Sequence, residues 1–192
     1  MPKVNEIKRT MKAQSIPKEL MEKINFPKPQ GNQPQEVLDL IGQMDSLLTR
    51  EQCLSVMEEQ GCHKDERTIT PFREFGIKHK GKSIQERLDL FDELHTGHKP
   101  PCHLNPDGTL SIYWDGWDPI KQQCVCHVIK RLYKKEGGPI KVSTTFCGCC
   151  AGHVKNTIQY ALGVTLKLKD IVSSPISTNG KKRCEFLFEV IG

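Results

Sequence analysis

The chain has 192 residues, 36% of them hydrophobic and 27% charged, with a net charge of +5. That length can bury one sizeable core, and no apolar run approaches the ~18 residues of a membrane-crossing helix, so no membrane partner is expected. Residues 1–33 hold seven Lys/Arg against three Glu (+4), leaving 21 against 20 (+1) elsewhere; the basicity belongs to the N-terminal segment, and nucleic-acid binding by a basic folded face is not favoured.

Residues 3–24 are weakly helical with a break at Pro17, and the start of the chain lacks the apolar core of a signal peptide, which points to a cytoplasmic protein. The Pro/Gly/Asn/Gln segment 26–34 reads as a linker, so residues 1–33 are expected to form a solvated basic arm. From Pro34 onward, Val37, Leu38, Ile41, Met44 and Leu48 recur at helical spacing. A second helix starts at Thr49, with Gln52 three residues on as its reciprocal cap, and ends at Gly61. A third starts at Ser83 with Glu86 in the same role and carries Ile84, Leu88, Phe91 and Leu94 on one face.

Past His98 the pattern changes. Residues 105–108 (Asn-Pro-Asp-Gly) signal a turn, and 109–117 suit a strand. The run 124–129 is read as a second strand, with Cys124 and Cys126 on one face. Residues 150–163 form a helix closed by Gly163, and 164–172 and 183–191 alternate as two more strands. The expected fold class is α+β, with a helical part (34–98) packed on a Cys-rich α/β part (99–192) whose antiparallel sheet carries one main helix, all in a single domain 34–192. The segment 183–191 is read as a candidate sheet edge through which two copies would form a homodimer.

Nine cysteines without a sign of secretion argue for metal binding, thiol chemistry or tight packing rather than disulfides. Two Cys-x-Cys pairs, Cys124/Cys126 and Cys147/Cys149, could meet one tetrahedral metal, with zinc the expected ion, if both lay on facing strands. Alternatively, Cys149 and Cys150 fall at a helix N-terminus, where unpaired amides favour a thiolate. His153 is then one turn away, so Cys147 or Cys149 with His153 would supply a nucleophile and a base. The third reading makes these residues a packed pocket wall. Weaker candidates are Cys102-His103 with His95 and His98 as loop ligands, and Trp114 with Trp117 as pocket-lining aromatics.

The order of Cys124-Val-Cys126, Phe146-Cys147-Gly148-Cys149, Gly152, Leu162-Gly163, Ser173-Ser174, Gly180 and Cys184-Glu-Phe186 resembles a group of bacterial Cys-x-Cys proteins. Over about residues 105–192 it also resembles, more distantly, the 4-vinyl-reductase domain and aminothiazoline-carboxylate hydrolase-like proteins. The resemblance implies helices on an antiparallel sheet around a pocket for a small, often apolar ligand. Gln60 stands where the group usually has cysteine, and His153 where an aromatic is commoner. Three functions follow as expectations: a small-ligand-binding, sensory module with a zinc-holding or packed Cys wall; a thiol-dependent hydrolase of a small cyclic amide or thiazoline; and nucleic-acid binding through the arm. The first is preferred because the cysteines come in pairs. Neither a Walker-type nor a Rossmann glycine pattern is present.

Overall fold

In the computed structural model, the residues described are 2–27, 34–61, 64–94, 100–114, 117–118, 123–124, 126–138 and 141–191, with residues 117, 118 and 123 described by backbone alone. Residues 28–33 of the expected linker, together with Cys62, His95 and His98, lie outside them, as does the side chain of Trp117.

The N-terminal segment forms helices α1 (Val4–Ala13) and α2 (Lys18–Lys23). It is not a solvated arm: Ile7 and Met11 are fully buried, and α1 packs on α3 (Pro34–Leu47) and α4 (Arg50–Glu58). The lysines of α1 stand on its outer face, so basic charge and core contact coexist on one amphipathic helix. Both expected capping boxes are present. Thr49 accepts from the Gln52 amide while the Gln52 side chain accepts from Thr49 N–H at the start of α4, and Ser83 and Glu86 do the same at α6 (Ile84–Asp89).

One helix went unread in the sequence, α5 (Glu66–Lys78), capped by Asp65, which accepts from the Thr68 amide at 2.9 Å. Pro71 and the β-branched run Thr68-Ile69-Thr70 hide it, because local propensity there opposes helix. Burial of Ile69, Phe72 and Phe75 outweighs that opposition.

The sheet is antiparallel with order β1-β2-β6-β5: β1 (Cys102–Leu104), β2 (Leu110–Trp114), β6 (Cys184–Ile191) and β5 (Thr165–Ser173). The turn before β2 closes on Gly108 (φ +80°), whose amide donates to the Asn105 carbonyl. The α+β class holds. Strand 183–191, however, is interior and not an edge: β6 pairs with β2 on one side and β5 on the other, because Cys184, Phe186 and Phe188 are its core-facing residues.

The run 124–129 is also corrected. Only Gln123–Cys124 is strand (β4), paired with Trp117–Asp118 (β3). Helix α7 (His127–Glu136) then starts at once with Cys126 in the N-cap position. Val128, Ile129 and Leu132 are its buried face, so a short apolar run that alternates like a strand continues at helical spacing. The main helix, α8, spans Gly148–Leu162, after a 3₁₀ turn at Thr144–Cys147, and ends on Gly163 (φ +62°).

Two apolar clusters make the core. One lies among α1, α3, α4 and α7 and includes Met11, Leu40, Met44, Met57 and Ile129; the other fills the space between α5, α8 and the sheet with Phe72, Phe75, Ile158, Phe186 and Phe188. The 147–149 segment straddles them, with Cys149 in the first and Cys147 in the second.

Candidate functional site

The segment that carries the clustered cysteines is fixed from both sides. Thr145 is fully buried; its hydroxyl donates to Asp45 Oδ1 at 2.6 Å and accepts from an Arg50 guanidinium nitrogen at 2.9 Å. Ser143 Oγ accepts the Thr145 amide. These bonds pin the 3₁₀ turn to α3 and α4. One turn later, glycines replace polar pins. A Cβ on Gly152 would stand 1.8 Å from the Glu58 carbonyl oxygen, one on Gly61 2.6 Å from the Gly152 carbonyl carbon, and one on Gly148 2.7 Å from Met57 Cβ. The start of α8 thus lies directly on the C-terminal backbone of α4.

That placement brings the N-terminal turn of α8 up to the N-terminus of α7, and a cavity of about 300 Å³ lies between them. Pro2, Val128, Phe146 and Trp114 give it an apolar wall; Cys126, Cys149, Cys150, His127 and His153 complete it. The Trp114 and His153 rings meet edge to face at 5.4 Å between centroids.

The cysteines divide by environment. The Cys150 thiol lies beside the sulfurs of Cys126 and Cys149 and favours their charged forms over its own. For Cys126 the neighbouring Cys150 lowers the thiol to about 6 against the opposing effect of burial, helped by the amides of Ile129 and Val128. No side-chain cap bond of ordinary geometry closes at Cys126; the two amides act as nearby partial charges at the open end of α7. Cys149 is also lowered, first by Cys150, but a charge on Cys126 opposes its ionisation. Of the three thiols, Cys126 is thus the one most favoured to ionise. Cys150, beside both, is raised well above the ordinary thiol range.

In the other thiols desolvation disfavours the thiolate. Cys147 is raised well above the usual value by desolvation, with the nearby Cys184 and Cys124 adding to the rise and Ser174 opposing it. Cys124 is pushed up to about 11, and Cys53, Cys102 and Cys184 to about 12, all chiefly by burial. The eight described cysteines are all free thiols.

The two sequence-read sites are thus split. Of the four sulfurs read as zinc ligands, Cys126 and Cys149 line the cavity, whereas Cys124 and Cys147 do not. Among the described residues, no group of three or more His, Cys, Asp or Glu side chains is arranged to hold a metal ion. That reading depended on two facing strands, whereas Cys124 ends β4, Cys126 stands at the N-cap of α7, Cys147 ends a 3₁₀ turn and Cys149 lies in α8. Of the nucleophile candidates, Cys149 and His153 share the cavity and Cys147 does not. The expected open amides at α8 are also partly taken, since Gly148 N–H is bonded to the carbonyls of Phe146 and Thr145; the open helix end in the site is that of α7. Gln60, where the resemblance would put a cysteine, bonds Thr10 Oγ1 and the Val56 carbonyl, tying α4 to α1. Cys102-His103 lies on β1, away from the cavity wall.

Cys150, His127, Val128 and Phe146 were not singled out in the sequence as one wall. The signal available for His127 and Val128 was Cys126-His127 opening a segment with Val128, Ile129 and Leu132 at helical spacing.

Comparisons with known proteins give no match, whether with family models, curated proteins or solved structures. The likeness to the 4-vinyl-reductase domain therefore rests on the sequence motifs quoted above. Among the described residues no helix is long and apolar enough to cross a membrane.

Proposed function

We propose that the chain binds a small, largely apolar molecule in the cavity between α7 and α8, with the cysteine trio forming one wall. The observation that carries this reading is the cavity itself. Its volume of about 300 Å³ falls at the small end of the ligand-pocket range, and its wall joins four apolar residues to a few convergent polar ones. A flat aromatic molecule would pack against Trp114 and Phe146 and leave its polar edge to His127, His153 or the thiols.

Indole is a suitable probe. Titrated into the ¹⁵N-labelled chain, it is expected to give saturable amide shifts at Val128, Cys149, Cys150 and His153, and none in Val128→Trp, whose side chain fills the cavity. Shifts that do not saturate, or that persist in the filled variant, would refute the reading.

A second reading, a thiol-dependent hydrolase of a small cyclic amide or thiazoline, draws on Cys149 and His153 lining the same cavity. It requires thiazoline ring opening that is lost in Cys149→Ala and kept in Cys147→Ala. Equal loss in both variants would refute it.

A further inference from the structure

Three cysteines from two separate elements meet at the cavity. Cys126 stands at the N-cap position of α7, while Cys149 and Cys150 lie in the first turn of α8. All three border the one cavity, with Cys150 beside both other sulfurs, and Cys126 and Cys150 are half-buried rather than sealed. Neighbouring residues on a helix point about 100° apart, so Cys149 and Cys150 cannot bridge within α8. A bridge from the trio must therefore run between the two helices, and it must include Cys126.

The geometry points to a thiol–disulfide exchange site: Cys126 attacks a small organic disulfide that enters the cavity, and Cys150 resolves the product to leave a Cys126–Cys150 disulfide joining the starts of α7 and α8. The inference rests on the ligand-binding reading only in using the same cavity.

The first step forms a bond from Cys126 sulfur to one sulfur of the reactant, RSSR, and expels RS⁻. In the second, Cys150 gives its proton to the departing thiolate or to solvent, attacks the Cys126 sulfur and expels the second RS⁻. The two protein thiols lose two electrons and two protons, and RSSR becomes two RSH. An organic disulfide fits better than a polar oxidant because the wall facing Cys126 is apolar: Pro2, Val128 and Phe146. The reduced form is the stabilised one, because the Cys126 thiolate is favoured by the neighbouring Cys150 and the α7 amides. The disulfide is accordingly easily reduced, like those of other low-pKa pairs.

The test uses 2,2′-dithiodipyridine, a small aromatic disulfide whose released thiopyridone is read by absorbance. Against a thiol at 9.0, one at about 6 has roughly two-hundredfold more thiolate at pH 6.5 but about twentyfold lower intrinsic nucleophilicity. A rapid phase at least tenfold faster than the buried thiols, which are raised above 9.0, is expected, releasing two thiopyridones per chain, with a protein mass lower by two hydrogens. Its rate rises with pH to a plateau above about 6. Cys150→Ser is expected to stop after one thiopyridone with the mixed disulfide trapped on Cys126, and Cys126→Ser to lose the rapid phase.

Peptide mapping of the wild-type chain quenched after the first release finds the adduct without relying on a variant that folds. An adduct on any other cysteine, a trapped adduct that never releases the second thiopyridone in the wild type, or the absence of a rapid phase overturns the inference. Indole binding in Cys126→Ser separates the two readings: shifts with no exchange in the wild type sink the chemistry alone, and exchange without shifts sinks the ligand reading alone.

Discussion

Gly152→Ala puts the proposed packing of α8 on α4 to a quantitative test. The new Cβ would stand 1.8 Å from the Glu58 carbonyl oxygen and 2.7 Å from its carbon. Ordinary carbon–oxygen contact is ~3.3 Å, so the helices must part by roughly 1.5 Å, and the obstacle is backbone that cannot rotate away. Overpacking of this kind costs about 1–3 kcal/mol and sometimes more. Alanine recovers ~1 kcal/mol over glycine inside a helix. Taking the upper part of the first range gives a net loss of about 2 kcal/mol, with His153 and the cavity wall displaced in whatever remains folded. Gly42 supplies the control: it is exposed, lies inside α3, and a Cβ there meets nothing within 4 Å. Gly42→Ala should therefore gain ~0.5–1 kcal/mol. Urea unfolding followed by far-ultraviolet circular dichroism measures both. A Gly152→Ala midpoint at or above the wild type, or equal shifts in the two variants, would refute the close approach.

Thr145→Val keeps the shape of the side chain but removes a buried hydroxyl that serves Asp45 and Arg50 at once; a loss of about 2 kcal/mol is expected in the same unfolding assay, and an unchanged midpoint would show that the 3₁₀ turn is held otherwise. Glu58 is raised by burial, against Lys155 at 3.1 Å and with Glu59 also near. Its folded form binds a proton more readily than its unfolded form, so its contribution to stability is present below the ordinary value of 4.5 and fades as pH rises through the higher folded value. Glu58→Gln should flatten that part of the stability–pH curve, and an unaltered slope there counts against the assignment. Alkylation with iodoacetamide at neutral pH, mapped by mass spectrometry, should mark Cys126 first and leave Cys53, Cys102, Cys124, Cys147 and Cys184 unmodified until denaturant is added; early labelling of Cys147 would contradict its burial.

Where a signal is local, the sequence carried it. The capping pairs Thr49/Gln52 and Ser83/Glu86, the Gly163 stop and the alternation of β5 and β6 all depend on residues a few positions apart. α5 was hidden because Pro71 and its β-branched neighbours oppose a helix that only burial of Phe72 and Phe75 makes favourable. The site was legible as a set of cysteines but not as an arrangement. Which sulfurs face the cavity depends on where α7 begins and on how far glycines let α8 sink onto α4, and neither is visible in Cys-x-Cys spacing. The same spacing suggested paired ligands on strands, whereas one residue of each pair turns toward the cavity and the other into the core. The buried face of α1 was likewise masked by its lysines.

Glu58 does more than pair with Lys155. One of its carboxylate oxygens accepts the Leu168 amide at 2.9 Å, and Leu168 lies on β5, the outermost strand on that side of the sheet. A free amide there would be a template for an incoming strand from another molecule. With a side chain from α4 occupying it, the register a newcomer needs is broken in the middle of the strand, and at the far side β1 offers only three residues. Damage at Glu58 should consequently be seen less as lost melting temperature than as turbidity on standing: a chain still folded, but with an opening along its rim from which fibrous self-assembly can grow.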